Sequence, residues 1–524
     1  MELRNVSGGR AGCPVVWIGI VLAIVVAGMT MRAYGQGGAV VFVTNYLERG
    51  SFLTQPRPEQ VKDTIHVFAA PGEYEPATFS IRSETTLNGI QVALADDLKG
   101  DTGQTIPKSA VEIRLVDLIE KWRNMKFRYY LLKKTTVDIP AKTTRRFWVT
   151  VHVPNNAKPG LYRSKIAIGK TMATPGPDLE RFETLRTLTY EVRVLPIKLA
   201  TAQETGMVYF MYSNTATCYN WITVPLRYHW ITAPPVTGEK RVLTEADQIR
   251  IFEDLREHGM TTVTLHLCPV VNGKFTLTGH DKNRLGVIAT METLKKVKLV
   301  APHLPVIWVS AENYGPDVWR GVLDEGRKRN WPELVFYAVD EPGWVGRQKG
   351  VRTFMKKFNA FRSKYPQYGL RVTTAIGSSF GIQSVGHYYD LWIACMAQRI
   401  GESGVIADAM MQNKELWTYD CMLAAIDAET DRYYFGVWAW VSGVRGCSHY
   451  TYFDCGPRKS YVYPTKEDLI PSIGWEAVRE GIDDYRYLTT LKRLADKART
   501  VAKPELAAGA DQIFADVKQM VTMD

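Results

Sequence analysis

The sequence predicts a two-part fold, all-β and then α/β: an N-terminal antiparallel β-sandwich followed by a (β/α)8, TIM-like barrel. Three observations predict it. The chain has 524 residues with 46% hydrophobic content, more than one hydrophobic core usually holds. Short alternating apolar runs separated by turn clusters fill residues 40–198 with no long helical stretch, which is how the strands of a sandwich read. From about residue 205 the grammar changes to apolar runs alternating with amphipathic stretches, the pattern of βα units around a parallel sheet.

Residues 1–35 stand apart from both domains. A short basic start precedes the apolar run "VVWIGIVLAIVVAGM" (15–29), and Ala33 and Gly35 follow at A-x-G spacing. This is the form of a secretory signal peptide, cleaved near Gly35 to leave a mature chain that begins near Gln36. The run is shorter than the about 20 residues that a spanning helix needs, so an uncleaved N-terminal anchor is the alternative. Cys13 precedes the run, which does not suit a lipoprotein attachment site. An exported chain, periplasmic or extracellular and without a stable membrane span after processing, is the expectation.

In the sandwich, the runs are "AVVFVTN", "IHVFAA", "ATFSIRS", "IQVALAD", "VEIRLVD", "RFWVTVHV", "RSKIAIG" and "LTYEVRVL". Between the sixth and seventh, Pro159-Gly160 in "VPNNAKPGLY" supplies a tight turn. "VLPIKLATA" (194–202) reads as the linker into the barrel. There, eight runs qualify as strands: "MVYFMYS", "TTVTLHL", "PVIWVSA", "LVFYAVDE", "RVTTAIG", "DLWIACM", "ELWTYDC" and "GCSHYTYF". "EADQIRIFEDLREHG" (245–259), "QKGVRTFMKKFNAFRSKY" (348–365) and "WEAVREGIDDYRYLTTLKRLADKA" (475–498) read as helices. The barrel then spans 205–498, and 499–524 is a polar, helix-prone extension. An open doubly wound sheet would need a Gly-rich phosphate loop after a strand, and none is present.

Charge and cysteines exclude several classes. The net charge of +11 falls to +9 when residues 1–35, with Arg4, Arg10 and Arg32 against Glu2, are set aside. The excess is spread out, densest in "KWRNMKFRYYLLKK" (121–134), without the tight basic stripe or module of a nucleic-acid binder. Cys218, Cys268, Cys395, Cys421, Cys447 and Cys455 form no C-x-x-C pair and have no His at zinc-finger spacing. No metal and no organic cofactor is expected, and the pairing of the cysteines is not legible.

One stretch carries chemistry. "YAVDEPGW" (337–344) puts Asp340 and Glu341 at the end of the fourth barrel strand, where Pro342 and Gly343 stop it. Active sites of such barrels sit at the C-terminal strand ends, and where the strand is ending both carboxylates can turn towards the mouth. Taken singly, "DEP" is also an ordinary solvated turn. Its company argues for a site: Tyr337 before it, Trp344 after it, and at other strand ends His266, Trp308 with Glu312, Tyr419 with Asp420, and Tyr452 with Asp454. Aromatic rings interspersed with acids suit a sugar, which offers apolar faces for stacking and hydroxyls for hydrogen bonds.

The segments "GEYEPATFSI" (72–81), "FWVTVHVPNNAKPGLY" (147–162), "YAVDEPGW", "RYYFGVWAWVSGVRGCSHYTYF" (432–453) and "WEAVREGIDDYRYL" (475–488), in this order, resemble glycoside hydrolase family 123 and exported proteins that share its C-terminal region. The resemblance implies an exo-acting β-N-acetylgalactosaminidase that retains anomeric configuration by substrate-assisted catalysis. It implies that Asp340 orients and polarises the 2-acetamido group of a glycan or glycoconjugate and that Glu341 is the general acid/base. His266, Trp308, Glu312, Tyr337, Tyr419, Trp438, Tyr452 and Asp454 are the expected substrate-binding residues. The eighth strand end, "SHYTYFD", departs from the Leu-Tyr-Trp-like ending of the wider group, which leaves the sugar subsite open. Another glycosidase on the same fold, such as a furanosidase, and a non-catalytic carbohydrate-binding protein are the alternatives.

Overall fold

Strands buried on both faces need mostly apolar residues, and the barrel runs have them, with buried polar residues such as Thr374, Thr418 and Ser448 interspersed. The structure, a computed structural model, describes residues 38–119, 128–134, 136–173, 180–212, 244–280, 285–343, 346–377, 379–395, 403–421, 427–453, 460–464, 468–501 and 503–521. The segment expected to be a signal peptide lies outside them, as do Trp344, Asp454, Cys218 and Cys455. Among the described residues no helix is long and apolar enough to cross a membrane. The chain divides into two compact units, one of residues up to 116 with 133–195, the other of 117–132 with 196–524.

The first unit holds two sheets. In one, Ala39–Thr44, Tyr74–Ser83, Thr143–His152 and Val111–Ile119 lie side by side, all antiparallel. Its core includes Phe79 and Phe147, stacked 5.2 Å apart on paired positions. In the other, Thr64–Ala69, Glu180–Val194, Gly160–Ala173, Leu87–Leu94 and Thr136–Ile139 follow in that order, and the first pair runs parallel. The Pro159-Gly160 turn therefore carries the chain from one sheet to the other. The register of the long hairpin shifts at Gly169, where an added Cβ would lie 2.2 Å from the Glu183 carbonyl oxygen. Only glycine lets the backbones come that close.

The second unit holds eight parallel strands: β1 Val208–Met211, β2 Thr264–Leu265, β3 Val306–Val309, β4 Leu334–Tyr337, β5 Val372–Ile376, β6 Leu391–Cys395, β7 Glu415–Asp420 and β8 Gly446–His449. Each lies within one of the eight runs singled out above. The order is β1-β8-β7-β6-β5-β4-β3-β2. β1 and β2 meet at a seam without a regular ladder, where the Thr261 and Thr262 N–H groups donate to the Tyr209 carbonyl at 2.8 and 3.1 Å. The fold is thus a nearly closed barrel, as expected from the βα pattern.

Side chains alternate in and out along each strand. Phe210, Ile307, Val309, Tyr337, Ala375, Ile393, Trp417 and Tyr419 fill the interior, while Tyr209, Trp308, Phe336, Val372, Ile376 and Trp392 pack outward under the helices. Those helices are α1 Glu245–Glu257, α2 Val287–Val297, α3 Pro316–Lys328, α4 Arg347–Lys364, α5 Ser379–Val385 and α6 Ser403–Met411. α7 Ala428–Tyr433 then runs through a π-helical turn, Tyr434–Trp438, into α8 Ala439–Ser442. α9 Ile473–Thr500 and α10 Pro504–Met520 complete the unit. Thr244 caps α1 through the Asp247 N–H, and Ser472 caps α9 through the Trp475 N–H, at 3.1 Å each. The π turn and α9 touch backbone to backbone: a Cβ on Gly436 would lie 2.7 Å from the Gly481 oxygen, and one on Gly481 would lie 2.4 Å from the Arg432 oxygen. That close approach explains the two glycines within the "YYFGVW" and "REGIDD" segments.

Candidate active site

The backbone after β4 takes an unusual path. Its ladder continues through the Ala338 N–H, which donates to the Thr373 carbonyl at 3.1 Å. Val339 and Glu341 then adopt left-handed conformations, with φ of 59° and 45°. For residues with a Cβ such conformations are uncommon and costly, and they cluster at functional sites. Asp340 lies between them, so two left-handed residues as well as Pro342 turn the acid pair out of the strand. A third left-handed residue, Ser310 (φ 60°), follows β3 and starts the short 3-10 turn Ala311–Asn313 that carries Glu312.

Around the pair stand tyrosines. The Tyr337 hydroxyl donates to Asp340 Oδ1, and the Arg347 guanidinium at the start of α4 donates to the Asp340 carbonyl. Tyr212, one residue past β1, packs edge-on against Tyr337 (centroids 6.1 Å) and Tyr419 (5.7 Å) and tilted against Tyr450 (6.0 Å). Cys395 and Cys421 pack against the same interior cluster. Glu341 and Tyr419 converge at the end of β5: a Cβ on Gly377 would lie 3.8 Å from Glu341 Oε1 and 3.9 Å from the Tyr419 hydroxyl.

Burial dominates the electrostatics. It pushes the phenols of Tyr212, Tyr337 and Tyr419 well above their ordinary value, and the nearby carboxylates add to this: Asp340 at Tyr212 and Tyr337, Glu341 at Tyr212 and Tyr419. All three remain protonated donors at any working pH. Burial also raises the Glu312 carboxyl, with Asp340 adding to the effect while the Glu312 and Val339 N–H groups oppose it. Its Oε2 is occluded and has no hydrogen-bond partner among the described residues. Among the described residues no cluster of three or more His, Cys, Asp or Glu could hold a metal ion.

The structure thus brings together Asp340, Glu341, Tyr337, Tyr419 and, beside them, Glu312. Other residues expected to line the site lie elsewhere. Trp308 is fully buried in the outer layer against Phe336 and Tyr314, because in β3 the interior positions belong to Ile307 and Val309. Trp438 is buried in the π turn, stacked on Tyr434 at 5.0 Å. Tyr452 is buried with its hydroxyl on Asp254 at 2.8 Å and its ring edge-on to Trp475. His266, by contrast, follows β2 at the same end of the barrel as the acid pair and is half-buried. Tyr212, Arg347, Gly377 and Tyr450 are site residues that the sequence reading missed. Gly377 closes a barrel run and Tyr212 is the last residue but one of another, and that position was the available signal. A separate cavity of about 700 Å³, lined by Lys298, His303, Trp331 and Glu333 among others, opens where β3 and β4 begin and contains none of these groups.

The second unit is thus a barrel with a carboxylate pair and a group of tyrosines at its strand ends. Residues 53–170 match the family described as glycoside hydrolase 123 N-terminal domain. A family 123 glycoside hydrolase from Clostridium perfringens, whose structure is described as giving details of glycolipid glycan hydrolysis, superposes on 92% of this chain and 91% of its own, with a TM-score of 0.61 at 12% identity. The family match is confined to residues 53–170, and the structural likeness, at 12% identity, shows a shared fold. More partial similarity is found to Gas2p of Saccharomyces cerevisiae (12% identity, 47% and 61% of the two chains, TM-score 0.33). The same holds for a broad-specificity endoglucanase from Clostridium longisporum (14%, 55% and 100%, 0.32). No curated protein matches the sequence at a significant level.

Proposed function

We propose that the protein is an exo-acting glycoside hydrolase of the β-N-acetylgalactosaminidase type, retaining configuration through the substrate's own 2-acetamido group. The observation that carries this reading is the Asp340-Glu341 pair on one left-handed turn, with Asp340 held by Tyr337. Attack of the acetamido oxygen on the anomeric carbon forms an oxazolinium-like intermediate, so the protein must supply a charge to stabilise it and a proton for the leaving oxygen. Asp340, fixed by the Tyr337 hydroxyl, is the charge. Glu341, whose Oε1 lies near the Tyr419 phenol across Gly377, is the proton donor and then the base. The description of the Clostridium perfringens enzyme as acting on glycolipid glycans supports a glycoconjugate substrate. Export guided by residues 1–35 would bring the enzyme to such a substrate.

The test is a panel of nitrophenyl glycosides that includes β-GalNAc, β-GlcNAc, β-galactoside and arabinofuranoside. Glu341→Gln should slow a natural glycoside by about 10²–10⁴-fold and spare an activated nitrophenyl substrate in the glycosylation step. Asp340→Asn should slow both alike, and a thiazoline mimic of the intermediate should bind it more weakly than the wild type. Wild-type rates in both variants would remove the assignment. A second reading, classical two-carboxylate catalysis on a sugar without an acetamido group, is favoured by the raised Glu312 carboxyl beside Asp340. It requires dead carboxylate variants together with indifference to thiazoline.

A further inference from the structure

Behind the acid pair, on the face of the sheet turned away from the barrel interior, two hydroxyls hold the chain that carries it. Thr374 of β5 is fully buried, and its Oγ1 donates to the Val339 carbonyl at 2.9 Å. Tyr389, just before β6, is also fully buried, and its hydroxyl donates to the Ala338 carbonyl at 3.1 Å. With Arg347 on the Asp340 carbonyl, three successive carbonyls each accept from a side chain. This is dense support for a strand end. A strand terminus normally leaves such groups to water or to a turn.

The reason for that support lies in the backbone it holds. A β-branched residue at φ 59° persists only where its surroundings over-determine it, because the conformation costs on the order of 1–3 kcal/mol. If Val339 relaxed to an extended conformation, Asp340 would turn away from the Tyr337 hydroxyl and Glu341 would leave the space over Gly377. We infer that Thr374 and Tyr389 are positioning residues for the Asp340-Glu341 pair, acting through the Val339 and Ala338 carbonyls and making no contact with the sugar. The inference rests on the hydrolase reading above for its catalytic consequence. Its structural part stands on the hydrogen bonds themselves.

Thr374→Val keeps the shape and removes the donor, Thr374→Ser restores the donor, and Tyr389→Phe removes the second hydroxyl alone. On a glycoside that the wild type cleaves, Thr374→Val should lower kcat by about 10- to 100-fold with KM within about twofold, because misplacement of catalytic groups and not binding is affected. Thr374→Ser should recover to within about threefold of wild type, and Tyr389→Phe should fall between. Crystal structures of the variants give a second readout: Thr374→Val should lose the Tyr337 to Asp340 hydrogen bond, and Thr374→Ser should keep it. If Asp340→Asn is inactive while Thr374→Val and Tyr389→Phe keep wild-type kcat, the positioning inference alone is overturned. A rise in KM at constant kcat also overturns it. If the wild type cleaves no glycoside, the hydrolase reading fails, and an intact Tyr337 to Asp340 bond in the Thr374→Val crystal structure overturns the clamp itself.

Discussion

The Tyr337 hydroxyl donates to Asp340 Oδ1 across one turn of chain, joining a side chain buried in the barrel to a carboxylate at its mouth. This hydrogen bond fixes the direction of the charge that the proposed mechanism needs. Tyr337→Phe removes it and leaves the ring in place. If Asp340 has the proposed role, loss of one charge-assisted hydrogen bond to it should lower kcat by about tenfold. Denaturant titration should find the fold nearly as stable as before, because Asp340 is exposed enough to be solvated. Equal losses in stability and rate would make the bond a structural one.

Gly377 leaves the space into which Glu341 and Tyr419 reach. At 3.8 and 3.9 Å, a methyl group is in ordinary contact with both, so Gly377→Ala should retain kcat/KM to within about threefold. Gly377→Leu places branches between the carboxylate and the phenol. It should lower kcat/KM by about 100-fold or more at an unchanged melting temperature. Full activity in the leucine variant would mean that the substrate does not reach this space.

Glu312 makes a pH-dependent contribution of predictable sign. Burial, with Asp340 adding, raises its carboxyl above the ordinary 4.5, so the folded state holds its proton more tightly than the unfolded chain. The stability this provides is complete below the ordinary value and is lost as pH rises through the raised one. Glu312→Gln does not titrate. Its melting temperature relative to wild type should therefore climb as pH rises from about 4 to 8, and a constant difference across that range would contradict the argument.

Tyr419 and Trp438 should separate function from folding. Tyr419→Phe should lower kcat or raise KM with little change in melting temperature, because only the hydroxyl near Glu341 is lost. Trp438, buried and stacked on Tyr434, should behave as core. Trp438→Ala is expected to cost about 3–5 kcal/mol of stability, measured by urea unfolding.

What the sequence revealed follows from where its physics is local. Runs such as "LVFYAVDE" and "DLWIACM" announced the barrel because a strand buried on both faces is apolar along most of its length. The same property hides which way each residue points. Ile307 and Trp308 are both apolar, and only their phase in the sheet puts the first inside the barrel and the second under the helices. Asp340 and Glu341 were legible because charged residues interrupt such a run at its end. Thr374 and Tyr389 gave no signal, since a threonine within a strand and a tyrosine before one are ordinary residues. Their partners, the carbonyls of Val339 and Ala338, are set by cross-strand register and not by neighbours in sequence. The left-handed Val339 was equally silent, because valine is the residue least suited to report that conformation.

The pairing of β1 with β8 also has a consequence for the order in which the protein can be made. β1 is the first barrel strand to be synthesised, and its ladder partner is the last, arriving about 240 residues later. At about 5–20 residues per second, the apolar sequence Val208–Met211 waits on the order of ten to fifty seconds for that ladder. During this interval the nascent chain displays a sticky strand that no early neighbour fully covers, and the barrel cannot close until residue 449 has emerged. A chain cut short anywhere within the barrel therefore keeps an open edge, which makes it a target for chaperones and proteases.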